Sequence, residues 1–495
     1  MPFSAGERGV FMVRSKNLAG LALAAGLAIG GVTASTAMAS PSSCGGHGAI
    51  TTFNGTLSDG ATYRIECPAG AWNGTLYLYS HGYVVPGASN PAQDVGDPVT
   101  RQWMLDHGYA LAGSSYSTTG WSIARALPDQ ISTLNAFGNL YGQPRTTVAW
   151  GHSLGGIITA GQLQDYPNRF DAALPMCGVL AGGVATRNTA LDGAFAFQQL
   201  VDPSAQVVNI TNPAANLQAA EAAVAQAQKT PQGRARLALT AALADTPGWF
   251  TPLSPAPAAT DYAAQEANQF EWASRVTFPF VFAFRAELEG RAGGNPSWNT
   301  GVNYVSDLAK SANLAEVQAL YAQAGLNLGQ DLRTLNNARR VIPQPWAVAY
   351  LAEHIAYNGE ISVPTLTVHT TGDGLVVPEN EQAYRSVVDR DGNGGLLQQL
   401  FVARAGHCAF TPAELTTAIE VLQNRLATGQ WHVPDPATLN SEAANLGPNF
   451  NIFVAGGKIM PAAPAFTSFT PTVYLRPFDL PPLPFFGGGP PPLVP

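Results

Sequence analysis

Charge is scarce in this 495-residue chain: Asp, Glu, Lys and Arg together make up 12% of it, about half of the roughly 25% usual in soluble proteins. Lysine is confined to Lys16, Lys229, Lys310 and Lys458, and no Lys/Arg-rich block occurs. With a formal net charge of −8, the chain lacks the electrostatic footprint that a phosphate backbone requires, which excludes nucleic acid as a partner. The acidic balance also disfavours an anionic substrate. Cysteine is limited to Cys44, Cys67, Cys177 and Cys408, without C-x-x-C spacing, and the eight histidines form no H-E-x-x-H or Cys/His cluster. Neither a metal nor any other cofactor is therefore expected. Long apolar runs are missing apart from one at the extreme N-terminus. By contrast, hydrophobic residues reach 46%, and Gly (51) and Pro (38) are plentiful yet stay below the roughly 25–30% that marks low-complexity disorder. The chain is expected to fold around a sizeable core.

Residues 1–39 have the three parts of a secretory signal peptide. Arg8, Arg14 and Lys16 precede the apolar run 18–32, and Ala37-Met38-Ala39 offers a small-residue cleavage site before Ser40. The run is too short and too rich in Ala and Gly for the ~20 residues a membrane span needs, so no stable membrane insertion is expected once the signal is removed. A secreted, extracellular protein uses its cysteines as disulfides. Four cysteines allow three pairings, of which Cys44–Cys67 closes a short N-terminal loop.

Short β-rich segments at 61–66, 75–80 and 109–115 give way to alternating helices and strands. The sequence predicts helices over 123–140 and 154–165 and strands over 146–150 and 172–176. The rhythm returns with a strand over 363–370, a helix over 379–388, a strand over 397–403 and a helix over 412–426. Such alternation implies an α/β fold with a mainly parallel sheet covered by helices on both faces. Residues 40–183 and 346–428 are read as the two parts of this core. Between them, residues 184–345 lose the rhythm and are Ala-rich, with helices expected over 214–228, 232–245 and 261–276. An insertion of this size between two strands reads as a large helical cap over a binding site. Residues 429–480 form an extension of mixed character, and 481–495 a Pro/Gly-rich tail.

The most informative segment runs from Thr147 to Gly156 and places G-x-S-x-G (Gly151, His152, Ser153, Leu154, Gly155) between a predicted strand and a predicted helix. A nucleophile on such a sharp turn is exposed at the carboxyl edge of the sheet, and the two glycines leave room for the neighbouring chain. A serine hydroxyl needs a base to take its proton, and that imidazole needs an acid to orient it. Downstream, Asp373 stands in a Gly-Asp-Gly turn after one predicted strand, and His407 stands in Ala405-Gly406-His407-Cys408 after the next. All three lie on loops at one sheet edge. The developing oxyanion requires backbone N–H donors; the amide of Leu154 is one candidate and that of Tyr83, after His81-Gly82, the other. His81 and His152 read as packing residues rather than bases. Tyr116 and Trp121 are candidates for the substrate pocket. Arg285, Glu287 and Glu289 read as a solvated helix face, and the loop of Gly293, Gly294, Asn295, Pro296, Trp298 and Asn299 as a segment that reaches the cleft.

These motifs resemble the α/β-hydrolase superfamily over about residues 60–183 and 346–428, with Ser153, Asp373 and His407 on the positions of nucleophile, acid and base, in that chain order. Within it, His407 to Phe410 is similar to secreted feruloyl esterases and tannases, where the Cys after the catalytic His bonds a Cys directly before the nucleophile. This sequence departs from that pattern, because His152 occupies the position before Ser153. The resemblance then implies a bridge from Cys408 to the nearest alternative, Cys177, at the end of the strand after the nucleophile helix. The implied activity is hydrolysis of a small-molecule or polymeric carboxylic ester through an acyl-enzyme, rising through about pH 6 to 8 as the base loses its proton. The same triad serves amides, so an exopeptidase or amidase of the prolyl-oligopeptidase type is the alternative; the charge-poor cap favours esters. A catalytically silent hydrolase fold used for binding is the third reading.

Overall fold

The computed structural model describes residues 43–455 and 458–480. The expected signal peptide and the Pro/Gly-rich tail lie outside the described residues. The strands are β1 (Thr51–Thr56), β2 (Thr62–Cys67), β3 (Thr75–Ser80), β4 (Ala110–Ser114), β5 (Thr146–His152), β6 (Ala172–Met176), β7 (Thr365–Gly372), β8 (Leu397–Ala405), β9 (Ile452–Ala455), β10 (Lys458–Pro461) and β11 (Phe466–Thr467). Nine of them form one sheet in the order β1-β2-β4-β3-β5-β6-β7-β8-β11, and β9 pairs with β10 in a separate ribbon. From β4 to β8 every neighbouring pair is parallel, whereas β1, β2 and β11 join antiparallel at the edges.

Every residue of β3, β4 and β6 is buried, as befits parallel strands covered on both faces. Leu76 and Leu78 of β3 point to one face, with Ile157, Ile158 and Leu163, and Tyr77 and Tyr79 point to the other, with Trp150, Val368, Ile419 and Leu422. The helices of the first half are α1 (Pro98–Asp106), α2 (Ile123–Tyr141) and α3 (Leu154–Asp165). Between β6 and β7 the chain forms α4 (Gly182–Leu200), α5 (Pro213–Ala227), α6 (Pro231–Ala242), α7 (Tyr262–Trp272), α8 (Phe278–Phe282), α9 (Arg285–Ala292), α10 (Tyr304–Lys310), α11 (Leu314–Gln323), α12 (Leu328–Asn337) and α13 (Pro345–Glu353). The helix expected over 261–276 is α7 followed by a π-helical turn, Ala273–Thr277, before Pro279. These helices hold apolar cores of their own, one around Phe195, Leu239, Tyr321 and Leu335 and one around Phe197, Val224, Phe278 and Phe282.

The second half adds α14 (Glu379–Arg390), α15 (Pro412–Thr428) and α16 (Pro436–Asn445). Helix α15 opens on a capping box: Thr411 accepts from the Glu414 N–H and Glu414 accepts from the Thr411 N–H. Buried Glu414 also takes a forked pair of bonds from Arg404 of β8, so strand end and helix start are clamped on either side of the loop that carries His407. Residues 429–480 do not stand apart. Helix α16 packs on α15, β11 pairs with β8, and Arg476 forms an ion pair with Asp192 of α4. Disulfides join Cys44 to Cys67 and Cys177 to Cys408.

Candidate active site

Ser153 forms the turn between β5 and α3 with φ 59° and ψ −120°, a conformation that non-glycine residues seldom adopt. The packing around the turn explains its two glycines. A Cβ on Gly155 would fall 1.8 Å from the Ser80 carbonyl oxygen, and one on Gly151 would fall 2.5 Å from the same atom. Bare backbone lets α3 start against the end of β3, and the Ser153 N–H donates to the Met176 carbonyl at 3.0 Å.

Asp373 and His407 reach this point from the ends of β7 and β8. His407 Nε2 lies 2.7 Å from Ser153 Oγ, and His407 Nδ1 lies 2.6 Å from Asp373 Oδ2. Asp373 is fully buried, and its other oxygen accepts from the N–H groups of Leu375 and Val376 at 2.9 and 3.0 Å. That bonding compensates a buried carboxylate and orients it. An acid, an imidazole and a hydroxyl are thus in line, with geometry suited to drawing a proton from Oγ. Cys177, His407 and Cys408 cluster within 4.8 Å, but both sulfurs are consumed in the disulfide, so this is not a metal-ligand set.

The amides of Leu154 and Tyr83 find no acceptor among the described residues. Leu154 is the first residue of α3, where N–H groups are free by construction. Gly82 packs against the serine, with a Cβ there placed 3.4 Å from Ser153 Cβ, and so sets Tyr83 beside it. His81 is buried, its ring nitrogens facing the carbonyls of Gly82 and Ser115 at 2.8 and 3.2 Å. His152 turns toward Tyr79, with Nδ1 3.1 Å from the phenol oxygen. Burial, aided by the charge of His407, pulls its pKa down to about 4.

Ser153 and His407 open on a cavity of about 410 Å³ roofed by helices between β6 and β7. Its lining is dominated by Phe197, Phe270, Phe278, Phe280 and Phe282, and Trp121 and Tyr83 belong to it. Arg187 of α4 and Tyr474 of the C-terminal extension are also on the wall. Sequence reasoning missed both, and missed the phenylalanines, although the run Phe278-Pro279-Phe280-Val281-Phe282-Ala283-Phe284 was a signal for an apolar wall. Nothing local marks Arg187 or Tyr474, which reach the site only through tertiary packing.

Three expectations are corrected. Tyr116 is not on the cavity wall: it is buried, stacks on His81 at 4.0 Å and donates its hydroxyl to the His81 carbonyl, bracing the loop from beneath. Arg285 and Glu289 are not a solvated face. Both are buried and form an ion pair at 2.8 Å, because α9 is pressed against the core, where Glu287 accepts from the Trp121 N–H. The loop from Gly293 to Asn299 does not reach the cavity. Asn295 is buried and held by Arg285 and Ser297, and Trp298 donates its N–H to Asn188.

No family model matches the chain. It is 29% identical over 447 residues to the o-phthalyl amidase of Xanthobacter agilis, covering 84% of this chain and 96% of that protein. Among solved structures it is similar to an esterase from Aspergillus oryzae (12% identity, 77% of this chain and 80% of that one, TM-score 0.41) and to feruloyl esterase B from the same organism (13%, 84% and 85%, TM-score 0.37). A third is the acylaminoacyl peptidase of Pyrococcus horikoshii (9%, 72% and 37%, TM-score 0.34). On its own strand order, with a strained serine at the turn after β5, the chain has the α/β-hydrolase fold.

Proposed function

We propose that this protein is an exported serine hydrolase that cleaves small carboxylic amides and esters through an acyl-enzyme. The observation that carries the reading is the line from Asp373 Oδ2 through His407 to Ser153 Oγ, with both gaps under 3 Å, at the mouth of an apolar cavity. Ser153 Oγ attacks the substrate carbonyl as its proton passes to His407 Nε2. Asp373, accepting from Nδ1–H, holds the ring and stabilises its cationic form. The negative charge on the carbonyl oxygen is met by the N–H groups of Leu154 and Tyr83. Collapse breaks the bond to the leaving group, which takes the proton from His407. Water then attacks the acyl-enzyme, giving its proton to His407, and the carboxylic acid departs as Ser153 recovers its hydrogen.

The ester reading rests on the charge-poor cap, which offers little to anchor a peptide terminus. The amide reading is supported by the amidase to which the chain is similar along nearly that protein's whole length. Export is supported by two disulfides, which persist in oxidising compartments, and by the N-terminal pattern of the sequence. No helix among the described residues is long and apolar enough to cross a membrane.

A fluorophosphonate probe tests the nucleophile. Labelling of the wild type and its loss in Ser153→Ala are expected; an unreactive wild type would establish a silent fold. Paired para-nitrophenyl esters and para-nitroanilides of the same small acids then rank the two bonds, and turnover of peptides alone would overturn the small-molecule reading.

A further inference from the structure

Three side chains of the cavity wall, Arg187, Tyr83 and Trp121, each carry a buried hydrogen-bond donor, Nε, OH and Nε1 respectively, that has no acceptor among the described residues. They stand together. The Arg187 guanidinium lies 4.3 Å from the Trp121 ring centroid, and Tyr83 is close enough to Arg187 for each to affect the other's ionisation. Arg187 is only 8% exposed. A guanidinium in the interior is ordinarily matched by a carboxylate, because an unpaired buried charge is strongly unfavourable, yet no ion pair reaches this one among the described residues. Glu287, the carboxylate whose charge acts on Arg187, is engaged elsewhere: it binds Arg291 at 2.7 Å and the Trp121 N–H at 3.1 Å. Burial, with Arg285 adding to it, pulls the Arg187 pKa down to about 10, and burial pushes that of Tyr83 up to about 12. At neutral pH both are therefore donors, one of them charged. No group among the described residues supplies the acceptor they lack.

We propose that Arg187, Tyr83 and Trp121 hold a carboxylate of the substrate, so that the preferred substrates are amides or esters bearing an acid group on an apolar frame. This deepens the hydrolase reading above and rests on it. A carboxylate offers two acceptor oxygens to the guanidinium fork, and the phenylalanines of the same wall accommodate the carbon frame. The backbone of Tyr83 adjoins the serine through Gly82, which ties the acid group to the side of the site where the oxyanion forms. The net charge of the protein is acidic, but a desolvated cation inside the cavity governs what binds there, since surface charges are screened by solvent.

Three substrates of matched frame test the proposal: para-nitrophenyl hydrogen adipate, with the acid on the acyl chain; para-nitrophenyl hexanoate, with none; and the hexanoate of a carboxy-substituted nitrophenol, with the acid on the leaving group. One of the acidic esters is expected to exceed the neutral one in kcat/KM by about tenfold or more, and which one it is locates the carboxylate. Arg187→Leu should lower the ratio of acidic to neutral turnover about 10- to 100-fold, and Arg187→Lys should restore part of it. A wild-type preference for the neutral ester overturns the proposal, as does an unchanged ratio in Arg187→Leu that still labels with fluorophosphonate. Labelling without acid preference would leave the hydrolase reading standing and remove this one. Equilibrium binding to Ser153→Ala examines the carboxylate site without turnover: the adipate ester should bind more tightly than the hexanoate, and this difference should vanish when Arg187→Leu is added.

Discussion

Cys408, the residue after His407, is disulfide-bonded to Cys177, the residue after β6, across 231 positions of sequence. Both half-cystines have positive φ, 53° and 41°, and the bond ties the histidine loop to the strand end beside Ser153. A cross-link over so long a loop restricts the unfolded chain strongly, with typical effects of about 2–5 kcal/mol. Cys177→Ala/Cys408→Ala should therefore lose unfolding free energy in that range, read from denaturant titrations. It should also lose kcat under conditions where it is still folded. Full activity in the folded double variant would show that the bridge serves stability alone.

Asp373→Asn preserves shape but removes the acceptor for His407 Nδ1–H, so the ring loses the support of its cationic form. A fall in kcat of about 10⁴ is expected, with KM little changed. Steady-state kinetics on a para-nitrophenyl ester would reveal it, and a loss smaller than about tenfold would mean that another group orients His407.

Beneath Asp373 lies a second buried histidine. His369 places Nδ1 3.0 Å from Glu381 Oε1 and Nε2 2.8 Å from the Val376 carbonyl. Burial alone would lower its pKa, but Glu381, Asp373 and the carbonyl outweigh it and raise the pKa above the ordinary value. The folded protein thus holds a proton that the unfolded chain gives up at about pH 6.5. Its contribution to stability is complete below that pH and is lost as pH rises through the elevated folded value. Thermal melts of wild type and His369→Gln should differ most in mild acid and converge in alkali, whereas a gap independent of pH would refute this account.

Arg476 of the C-terminal extension pairs with Asp192 and donates to the Trp298 carbonyl at 2.9 Å. Burial raises the Asp192 pKa to about 6 in spite of Arg476 and Tyr304. Arg476→Met would strand a buried carboxylate and should destabilise the protein by about 3–5 kcal/mol. Adding Asp192→Asn should recover much of that loss in denaturant titrations; no recovery would mean that the arginine acts through its stem and not its charge.

The core was legible because its signals are local. Helix α3 and strands β3 and β6 were read with their observed bounds, since alternation and turn residues act within a few positions. The edge strand β1 was missed, because half-exposed Thr51 to Thr56 carries little apolar contrast. The mixed character of residues 429–480 gives no sign that β11 completes the sheet or that Tyr474 enters the cavity wall. Tyr116 and Arg285 went astray for a shared reason: whether a polar or aromatic side chain faces solvent, core or cleft depends on which distant segment packs over it.

Sequence alone determined that the chain would place a serine, an aspartate and a histidine, in that order, on loops at one edge of a parallel sheet. Strand-loop-helix order follows from backbone periodicity and from glycines at close approaches, both written into neighbouring residues. Tertiary structure decided what surrounds that edge. Arg187, Trp121, Tyr83, the phenylalanines and Tyr474 come from segments far apart in the chain, and they share one cavity only after the helices close over the sheet. Burial without a partner, the property that makes Arg187 informative, exists only once those helices have packed.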